Sequence, residues 1–249
     1  MMIRIALAVA TLLAALTATA AQPDYAREKR WADEVVPGLV VGDAVWLQQK
    51  SGHKFLGLLT EAPKPRGAVI IVHGLGIHPD WNLIGVLRTQ LAENGYTTLS
   101  IQMPVLAADA RGDAYAPLFP DAAERLRVAI DYLRKRGSTR IAIAAHSLGA
   151  RMADAYLVQS ADPGVAAWVA IAIFPAEFAD PAKLRVPVLD IYGEKDFEQV
   201  LKTADARAKA ISRVKGSAQV EVAGSDHYFN GKEAELARQV KLFLDQRLR

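Results

Sequence analysis

The 249-residue sequence predicts an α/β fold with a mostly parallel, twisted sheet that helices cover on both faces. Short apolar runs of strand length recur along the chain, and amphipathic segments of helical length separate them. Apolar residues make up 51% of the chain, which at this length fits one large domain over residues 22–249. No repeat, low-complexity tract or linker in the sequence divides this domain.

The predicted strands are apolar runs bounded by turn residues: residues 53–60, 68–72, 97–101, 141–145, 168–174, 188–192 and 219–222. The predicted helices follow from apolar spacing and glycine stops: residues 80–95, 121–137, 148–158, 197–214 and 232–248. Asp80 is expected to be the N-cap of its helix, and Asp121 with Glu124 resembles a capping box. Residues 31–49 show only a weak pattern of apolar residues, interrupted by glycine and proline, so no helix or strand is predicted there.

One connection, residues 103–120, is longer than the others. Long connections in compact domains are usually functional or disordered, and this one leaves the C-terminal end of a predicted sheet strand. Ligands of open α/β sheets bind at that edge. Tyr115 and Phe119 of this segment are therefore candidate substrate-binding residues.

Charge and cysteine content exclude several classes of function. The net charge is +3, and basic and acidic residues are interspersed, so the sequence carries no nucleic-acid footprint. It contains no cysteine, so it forms no disulfide and offers no thiol for lipid attachment.

The N-terminus has the pattern of a signal peptide over residues 1–21. Arg4 supplies the positive charge, residues 5–16 the apolar core, and Ala18 and Ala20 the cleavage site. The alternative is an uncleaved anchor, but the apolar part is shorter than the roughly 18 residues that a spanning helix requires. We expect cleavage before Ala21 or Gln22, no stable membrane span afterwards, and export to a Gram-negative periplasm, with secretion as the alternative.

Ser147 is either a catalytic nucleophile or a helix N-cap. It follows an apolar strand and precedes an alanine-rich helix in the stretch AAHSLGA, with Ala145 and Gly149 two residues to either side. A nucleophile elbow requires small residues at those places, because the backbone folds back on them. Serine is also a common helix N-cap, and this stretch alone leaves the two interpretations equal.

Three other features favour the nucleophile. His73 to Gly76 follow an earlier strand, where an oxyanion-hole loop is expected, and a dinucleotide-binding glycine pattern fails there because Pro79 stands at its third glycine. Asp196 follows a later strand, although it could simply cap a helix. His227 follows the last strand and supplies the base that a serine nucleophile requires.

Strand-end residues in the order Ser, Asp, His resemble the α/β-hydrolase superfamily over nearly the whole chain after residue 21. The stretches HGLGIHPDW and TTLSIQMP resemble a poorly characterised group of exported bacterial proteins within it. The resemblance implies a triad of Ser147, Asp196 and His227, with oxyanion donors at the backbone N–H of Leu75 and Leu148 and a minimal cap. Ala145 stands where the family usually has glycine, and secreted lipases with the motif A-H-S-x-G also have alanine at that position.

The expected reaction is acyl transfer to water without a cofactor, on a small-molecule or envelope-derived ester, thioester or amide. The competing class is a non-catalytic envelope protein that uses the fold to bind a partner. Among the other histidines, His146 is expected to pack under the elbow and His73 to steady its loop. His78 and Asp80 lack a third ligand at a recognisable spacing, so no metal site is predicted.

Overall fold

The computed structural model describes residues 22–248, and the predicted signal peptide lies outside this range. Eight strands form one sheet in the order β1-β2-β4-β3-β5-β6-β7-β8. They are β1 (Asp43–Gln48), β2 (Lys54–Thr60), β3 (Ala68–Val72), β4 (Thr97–Ile101), β5 (Ile141–His146), β6 (Ala167–Ile171), β7 (Val188–Lys195) and β8 (Ala218–Asp226). The pairs β1–β2 and β2–β4 are antiparallel, and all later pairs are parallel.

Seven α-helices accompany the sheet within the described residues: α1 (Tyr25–Val35), α2 (Asn82–Glu93), α3 (Phe119–Lys135), α4 (Leu148–Gln159), α5 (Glu198–Lys202), α6 (Ala204–Ile211) and α7 (Glu233–Arg247). Short 3-10 helices occupy Val36–Gly38, Gly112–Leu118 and Pro181–Lys183. Between residues 22 and 248 no helix is both long and apolar enough to cross a bilayer.

The central strands are apolar on both faces because both faces are covered. In β3, Ile70 packs into the core under α3 and α4, whereas Val69 and Ile71 pack into the core under α2 and α7. A continuous apolar run is the sequence signature of such a doubly covered parallel strand. The predicted fold class, a mostly parallel sheet between two helical layers, is confirmed.

Two predicted helix caps are wrong, because stronger partners take the carboxylates. Helix α2 begins at Asn82 and its N-cap residue is Trp81, while the carboxylate of Asp80 accepts two hydrogen bonds from the buried guanidinium of Arg88, at 2.7 and 3.1 Å. Helix α3 begins at Phe119, ahead of the proposed capping box. Asp121 binds Arg125 at 2.8 Å, so its side chain pairs along the helix instead of capping it.

Several predicted boundaries also shift. Strand β6 ends at Ile171, because Ala172 turns into a positive φ of 46°. Strands β7 and β8 extend further than predicted and pair with each other up to Lys195 and Asp226. The helix predicted over 197–214 is two helices that meet at Thr203, whose hydroxyl donates to the carbonyl oxygens of Ala176 and Gln199.

The weak segment at 31–49 contains the end of α1 and all of β1, neither of which the sequence predicted. Helix α1 buries only Glu28, Ala32 and Val35, so its inner face includes a carboxylate. Glu28 is paired there with the fully buried Arg125 through two hydrogen bonds of 2.9 and 3.0 Å. A helix that buries a charge lacks the apolar stripe on which the sequence prediction depends.

Candidate active site

Ser147 stands at a sharp turn between the end of β5 and the first residue of α4. Its backbone has φ 53° and ψ −122°, a conformation that costs a non-glycine residue on the order of 1–3 kcal/mol. Its amide donates to the carbonyl oxygen of Ile171 at 2.9 Å, and its carbonyl oxygen accepts from the amide of Ala150 at 3.0 Å. Although Ser147 occupies the N-cap position, its side chain makes no capping hydrogen bond.

The small residues on either side of Ser147 fit this turn. A Cβ on Gly149 would collide with the carbonyl oxygen of His73 and lie 2.8 Å from a methyl carbon of Val72. Ala145 is fully buried in β5 and pairs with Val72 and with Ala170 of the neighbouring strands. The turn therefore requires glycine at 149, and at 145 only a methyl group enters the buried end of the strand.

Three of the sequence-predicted residues meet in one hydrogen-bonded chain. The ring nitrogen Nδ1 of His227 lies 2.6 Å from Oδ1 of Asp196, and Nε2 lies 3.0 Å from Oγ of Ser147. Asp196 comes directly after β7 and His227 directly after β8, and all three residues are buried. With the proton on Nδ1 donated to the carboxylate, Nε2 is free to accept the serine proton.

Two other carboxylates, Glu194 close to Asp196 in sequence and Asp226 next to His227, have different partners. Glu194 accepts a hydrogen bond from the amide of Gly224 at 2.6 Å. Asp226 accepts from the amides of Tyr228 and Asn230, each at 3.0 Å. Asp196 is therefore the carboxylate that orients the imidazole.

Two phenylalanine rings and one tyrosine ring lie against the imidazole of His227, in addition to the ring of His146. The Phe197 ring is stacked on it, with centroids 4.0 Å apart and planes inclined by 19°. The Tyr228 and Phe174 rings approach at 5.1 and 6.2 Å, both nearly perpendicular to it. The amide of Phe197 also donates to Oδ1 of Asp196 at 2.7 Å, so one residue fixes both the ring and its carboxylate.

The two predicted oxyanion donors, Leu75 and Leu148, both border the space in front of Ser147. Leu148 is the first residue of α4, and both Leu148 and Leu75 line the cavity there. Within residues 22–248 no protein acceptor takes up either N–H group. Free N–H donors at a helix N-terminus and in a facing loop can bind a developing negative charge on oxygen.

His73 holds the loop that carries Leu75. Its Nε2 accepts from the amide of Met103 at 2.9 Å, and its Nδ1 donates to the carbonyl oxygen of Gly74 at 2.9 Å. Burial lowers the pKa of His73 to about 3, so the ring stays neutral and keeps both bonds. The expectation that His73 steadies its loop is confirmed.

His146 lies under the turn beside Ser147, as expected. Its Nε2 donates to the backbone carbonyl oxygen of His227 at 3.0 Å. Burial lowers the pKa of His146 to about 3, which keeps this ring neutral as well. His146 therefore ties the end of β5 to the loop that carries His227.

A cavity of about 440 Å³ opens in front of Ser147. Its lining comes from the turn, the loops after β3, β6, β7 and β8, and the long connection after β4: Leu75, Arg111, Gly112, Asp113, His146, Ser147, Leu148, Phe174, Pro175, Phe197, His227 and Tyr228.

Tyr115 and Phe119, the predicted substrate-binding residues, are not among the residues that line this cavity. Tyr115 is buried in the core, where its hydroxyl accepts a hydrogen bond from the amide of Leu106 at 3.0 Å, and Phe119 packs against the same core. The connection does reach the cavity, but through Arg111 to Asp113 at the start of its 3-10 helix. The aromatic residues of this loop anchor it because burying them is more favourable than exposing them.

His78 and Asp80 are engaged with protein partners. The amide of Asp80 donates to Nδ1 of His78 at 3.3 Å, and the Asp80 carboxylate forms an ion pair with Arg88. Among the described residues no three histidine or carboxylate side chains gather in a way that could hold a metal ion.

The sheet order, the helical layers and the strand-end site together define the α/β-hydrolase fold. The chain belongs to the family described as "Protein of unknown function (DUF3530)", whose model matches residues 3–117 and 120–246. No curated protein matches the chain.

Solved structures with the same fold include three bacterial proteins. A dienelactone hydrolase from Anabaena variabilis has a TM-score of 0.68 and 20% identity, with 83% of this chain and 97% of that chain covered. Est1E from Butyrivibrio proteoclasticus has a TM-score of 0.66 and 18% identity, with coverages of 82% and 98%. A lidless α/β serine hydrolase from Xanthomonas campestris has a TM-score of 0.63 and 18% identity, with coverages of 84% and 95%.

Proposed function

We propose that the protein is a serine hydrolase that cleaves an ester, thioester or amide of a small-molecule or envelope-derived acyl compound. The observation that carries this proposal is the hydrogen-bonded chain from Ser147 through His227 to Asp196 at the floor of a cavity. A protein that only binds a partner needs neither a strained serine nor a base aimed at its hydroxyl. The proposal also fits the hydrolases that share the fold, although a shared fold does not define activity.

In the proposed mechanism, Nε2 of His227 takes the proton of Ser147 as Oγ attacks the carbonyl carbon of the substrate. Asp196 keeps the other ring proton on Nδ1 and stabilises the imidazolium that forms. The N–H groups of Leu148 and Leu75 bind the negative oxygen of the tetrahedral intermediate, and each such donor is worth about 3 kcal/mol in the transition state. His227 then gives the proton to the leaving group, and water releases the acyl group by the reverse sequence.

Labelling with a fluorophosphonate tests this proposal without a known substrate, because the probe reacts with an activated serine hydroxyl. The wild-type protein should label at one site, and Ser147→Ala should not label while it keeps the wild-type circular dichroism spectrum. Equal labelling of Ser147→Ala would show that another residue reacts. A folded wild-type protein that does not label would favour the non-catalytic, partner-binding class.

The identity of the acid is tested with a matched pair of variants. Asp196→Asn should lower the labelling rate by about 10⁴-fold, the scale seen when tautomer control is lost in serine proteases. Glu194→Gln is the control, because Glu194 binds the amide of Gly224 rather than the imidazole. If Asp196→Asn labels normally and Glu194→Gln does not, Glu194 is the acid.

A further inference from the structure

The proposed mechanism determines where the leaving group of a substrate lies. Nε2 of His227 must deliver a proton to the leaving oxygen, so the leaving group has to occupy the His227 side of the cavity. The acyl group then occupies the remaining side of the carbonyl carbon. If the proposed function holds, the lining of the cavity determines whether an aromatic ring is favoured in the leaving group or in the acyl group.

The His227 side of the cavity is aromatic. All three Phe and Tyr side chains of the lining, Phe174, Phe197 and Tyr228, contact the His227 ring, with centroid distances between 4.0 and 6.2 Å. They also contact one another, since Phe197 lies 5.4 Å from Phe174 and 6.5 Å from Tyr228. Phe197 stays 42% exposed although one side of its ring is stacked on the imidazole, so part of its surface is open to a ligand.

The part of the lining around Leu75 is different in character, and it makes no ring contact with His227. Leu75 stands there next to Gly112, at which a Cβ would lie 4.0 Å from a methyl carbon of Leu75. The neighbours of Gly112, Arg111 and Asp113, expose 88% and 77% of their side chains and lie 3.9 Å apart. These residues therefore offer one aliphatic side chain and two charged ones, without a phenyl or phenol ring.

We propose that the enzyme acts on esters that carry an aromatic ring in the leaving alcohol and a short acyl group. Aromatic rings attract one another beyond the effect of area burial, so a ring in the leaving group gains from Phe197 and its neighbours. A ring in the acyl group meets Leu75 and the charged pair instead. A volume of about 440 Å³ is within the range of compact ligand sites, and it suits one ring and a short acyl chain.

Two isomeric esters test this preference, because they differ only in the side of the ester that carries the ring. Benzyl acetate has the ring in its alcohol, and methyl phenylacetate has the ring in its acyl group. After each kcat/KM is divided by the rate constant of alkaline hydrolysis, benzyl acetate should be favoured by about 2- to 12-fold, the scale of one aromatic contact. Cyclohexylmethyl acetate, with a non-aromatic ring of similar size, should lose most of that advantage.

Variants test whether the aromatic wall, formed by Phe174, Phe197 and Tyr228, causes the preference. Phe197→Leu should bring the benzyl acetate to methyl phenylacetate ratio close to one, whereas Phe197→Tyr should keep it because the ring is retained. Phe197 also contacts His227, so Phe197→Leu should be slower on both esters, and ring recognition is measured by the ratio rather than by the rate. Leu242→Ala is the control, since Leu242 is an exposed apolar residue outside the cavity lining.

The outcomes separate this inference from the proposed function. A ratio of one or a preference for methyl phenylacetate would overturn the inference, and so would a ratio that Phe197→Leu leaves unchanged. A protein that labels with the fluorophosphonate but hydrolyses none of the three esters would also overturn it, while the serine hydrolase proposal would stand. A protein that neither labels nor hydrolyses any of them would overturn both.

Discussion

At the scale of single residues, Ser147 is held in its strained conformation by close neighbours. Its own amide and carbonyl groups are both hydrogen-bonded, and the backbone of His73 lies against Gly149 two residues further on. Strain of this kind persists only where the surroundings leave the chain no alternative. Its effect here is to lift the hydroxyl out of the helix-capping geometry and towards His227.

Substitutions of Ala145 test how tight this turn is. Ala145→Gly should be nearly silent for labelling and cost a few tenths to about 1 kcal/mol of stability, through backbone entropy. Ala145→Val should cost roughly 1–3 kcal/mol by overpacking a fully buried position. It should also displace the Ser147 hydroxyl and the Leu148 N–H together, and a shift of about 1 Å can slow a reaction about 100-fold.

The measurements for this pair are the fluorophosphonate labelling rate and the melting temperature. Ala145→Gly is the control for Ala145→Val, since it alters the same position without adding volume. A stable Ala145→Val protein that labels at the wild-type rate would mean that the turn has room for a larger side chain.

The position of a residue was predictable from the sequence where the residue follows a strand directly. Ser147, Asp196 and His227 each come within one residue of a strand end, and parallel strands bring those ends to one edge of the sheet. Tyr115 lies far from a strand, so its direction depends on how the connection folds. The sequence pattern also gave no sign of Arg111, Phe174 or Tyr228, whose place in the cavity is set by loop geometry.

At the scale of elements, Asp154 connects α4 to the segment that follows β6. It is fully buried, and its Oδ2 accepts from the amide of Ala179 at 2.6 Å and from Arg151 at 2.9 Å. The same segment supplies Phe174 and Pro175 to the cavity. One carboxylate on the helix behind Ser147 thus holds the loop that forms part of the aromatic wall.

This carboxylate should make stability depend on pH. Burial raises the pKa of Asp154 from 3.8 to about 6, so between these values the folded protein keeps a proton that the unfolded chain releases. The contribution is fully present below pH 3.8 and is lost as the pH rises through about 6. Since one unit of pKa shift is about 1.4 kcal/mol, the free energy of unfolding should fall by about 3 kcal/mol over this window.

Urea unfolding between pH 4 and 7.5 measures this effect, with Asp154→Asn as the reference because asparagine does not ionise. The free energy of unfolding of the wild type relative to Asp154→Asn should decrease as the pH rises. A difference that stays constant or grows over this range would contradict the assignment.

Helices and strands were predictable from the sequence wherever burial in the core alone sets the pattern of apolar residues. Strands β3, β4 and β5 are buried on both faces, so their apolar runs are unbroken and their limits match the prediction within one residue. Helix α1 was missed because it is held by a buried ion pair, which has no periodic signature. The break at Thr203 was missed because its cause is a hydroxyl contact with Ala176, which is distant in sequence.

At the scale of the whole molecule, the sequence predicts the fold class but gives no order of strands. The order depends on pairings between distant segments, such as β2 with β4 around the intervening β3. The antiparallel strands β1 and β2 lie at one edge, and the parallel strands carry the candidate site at their carboxyl ends. The long-range pairing determines which loops surround the cavity.

We propose that the protein is exported and that residues 1–21 are removed as a signal peptide. The charge at Arg4, the apolar run and the Ala18–Ala20 site support this proposal. In a Gram-negative host, N-terminal sequencing of the purified protein should give a start at Ala21 or Gln22, and the protein should fractionate with soluble periplasm. Recovery of Met1 or Met2 in the membrane fraction would indicate an uncleaved anchor.

Helix α1 has a consequence for how the molecule comes apart. It is fastened by the ion pair of Glu28 with Arg125 and by a small apolar cluster, and the amide of Asp24 and the guanidinium of Arg27 hold the carbonyl oxygens of Val105 and Leu106. Only Glu28, Ala32 and Val35 of α1 are buried, whereas every residue of β3 and β5 is, so the amides of α1 should exchange with solvent before those of these strands. Release of α1 would free Val105 and Leu106 and so loosen the segment after β4, whose Met103 amide binds His73. Heating should therefore abolish fluorophosphonate labelling while the sheet is still intact.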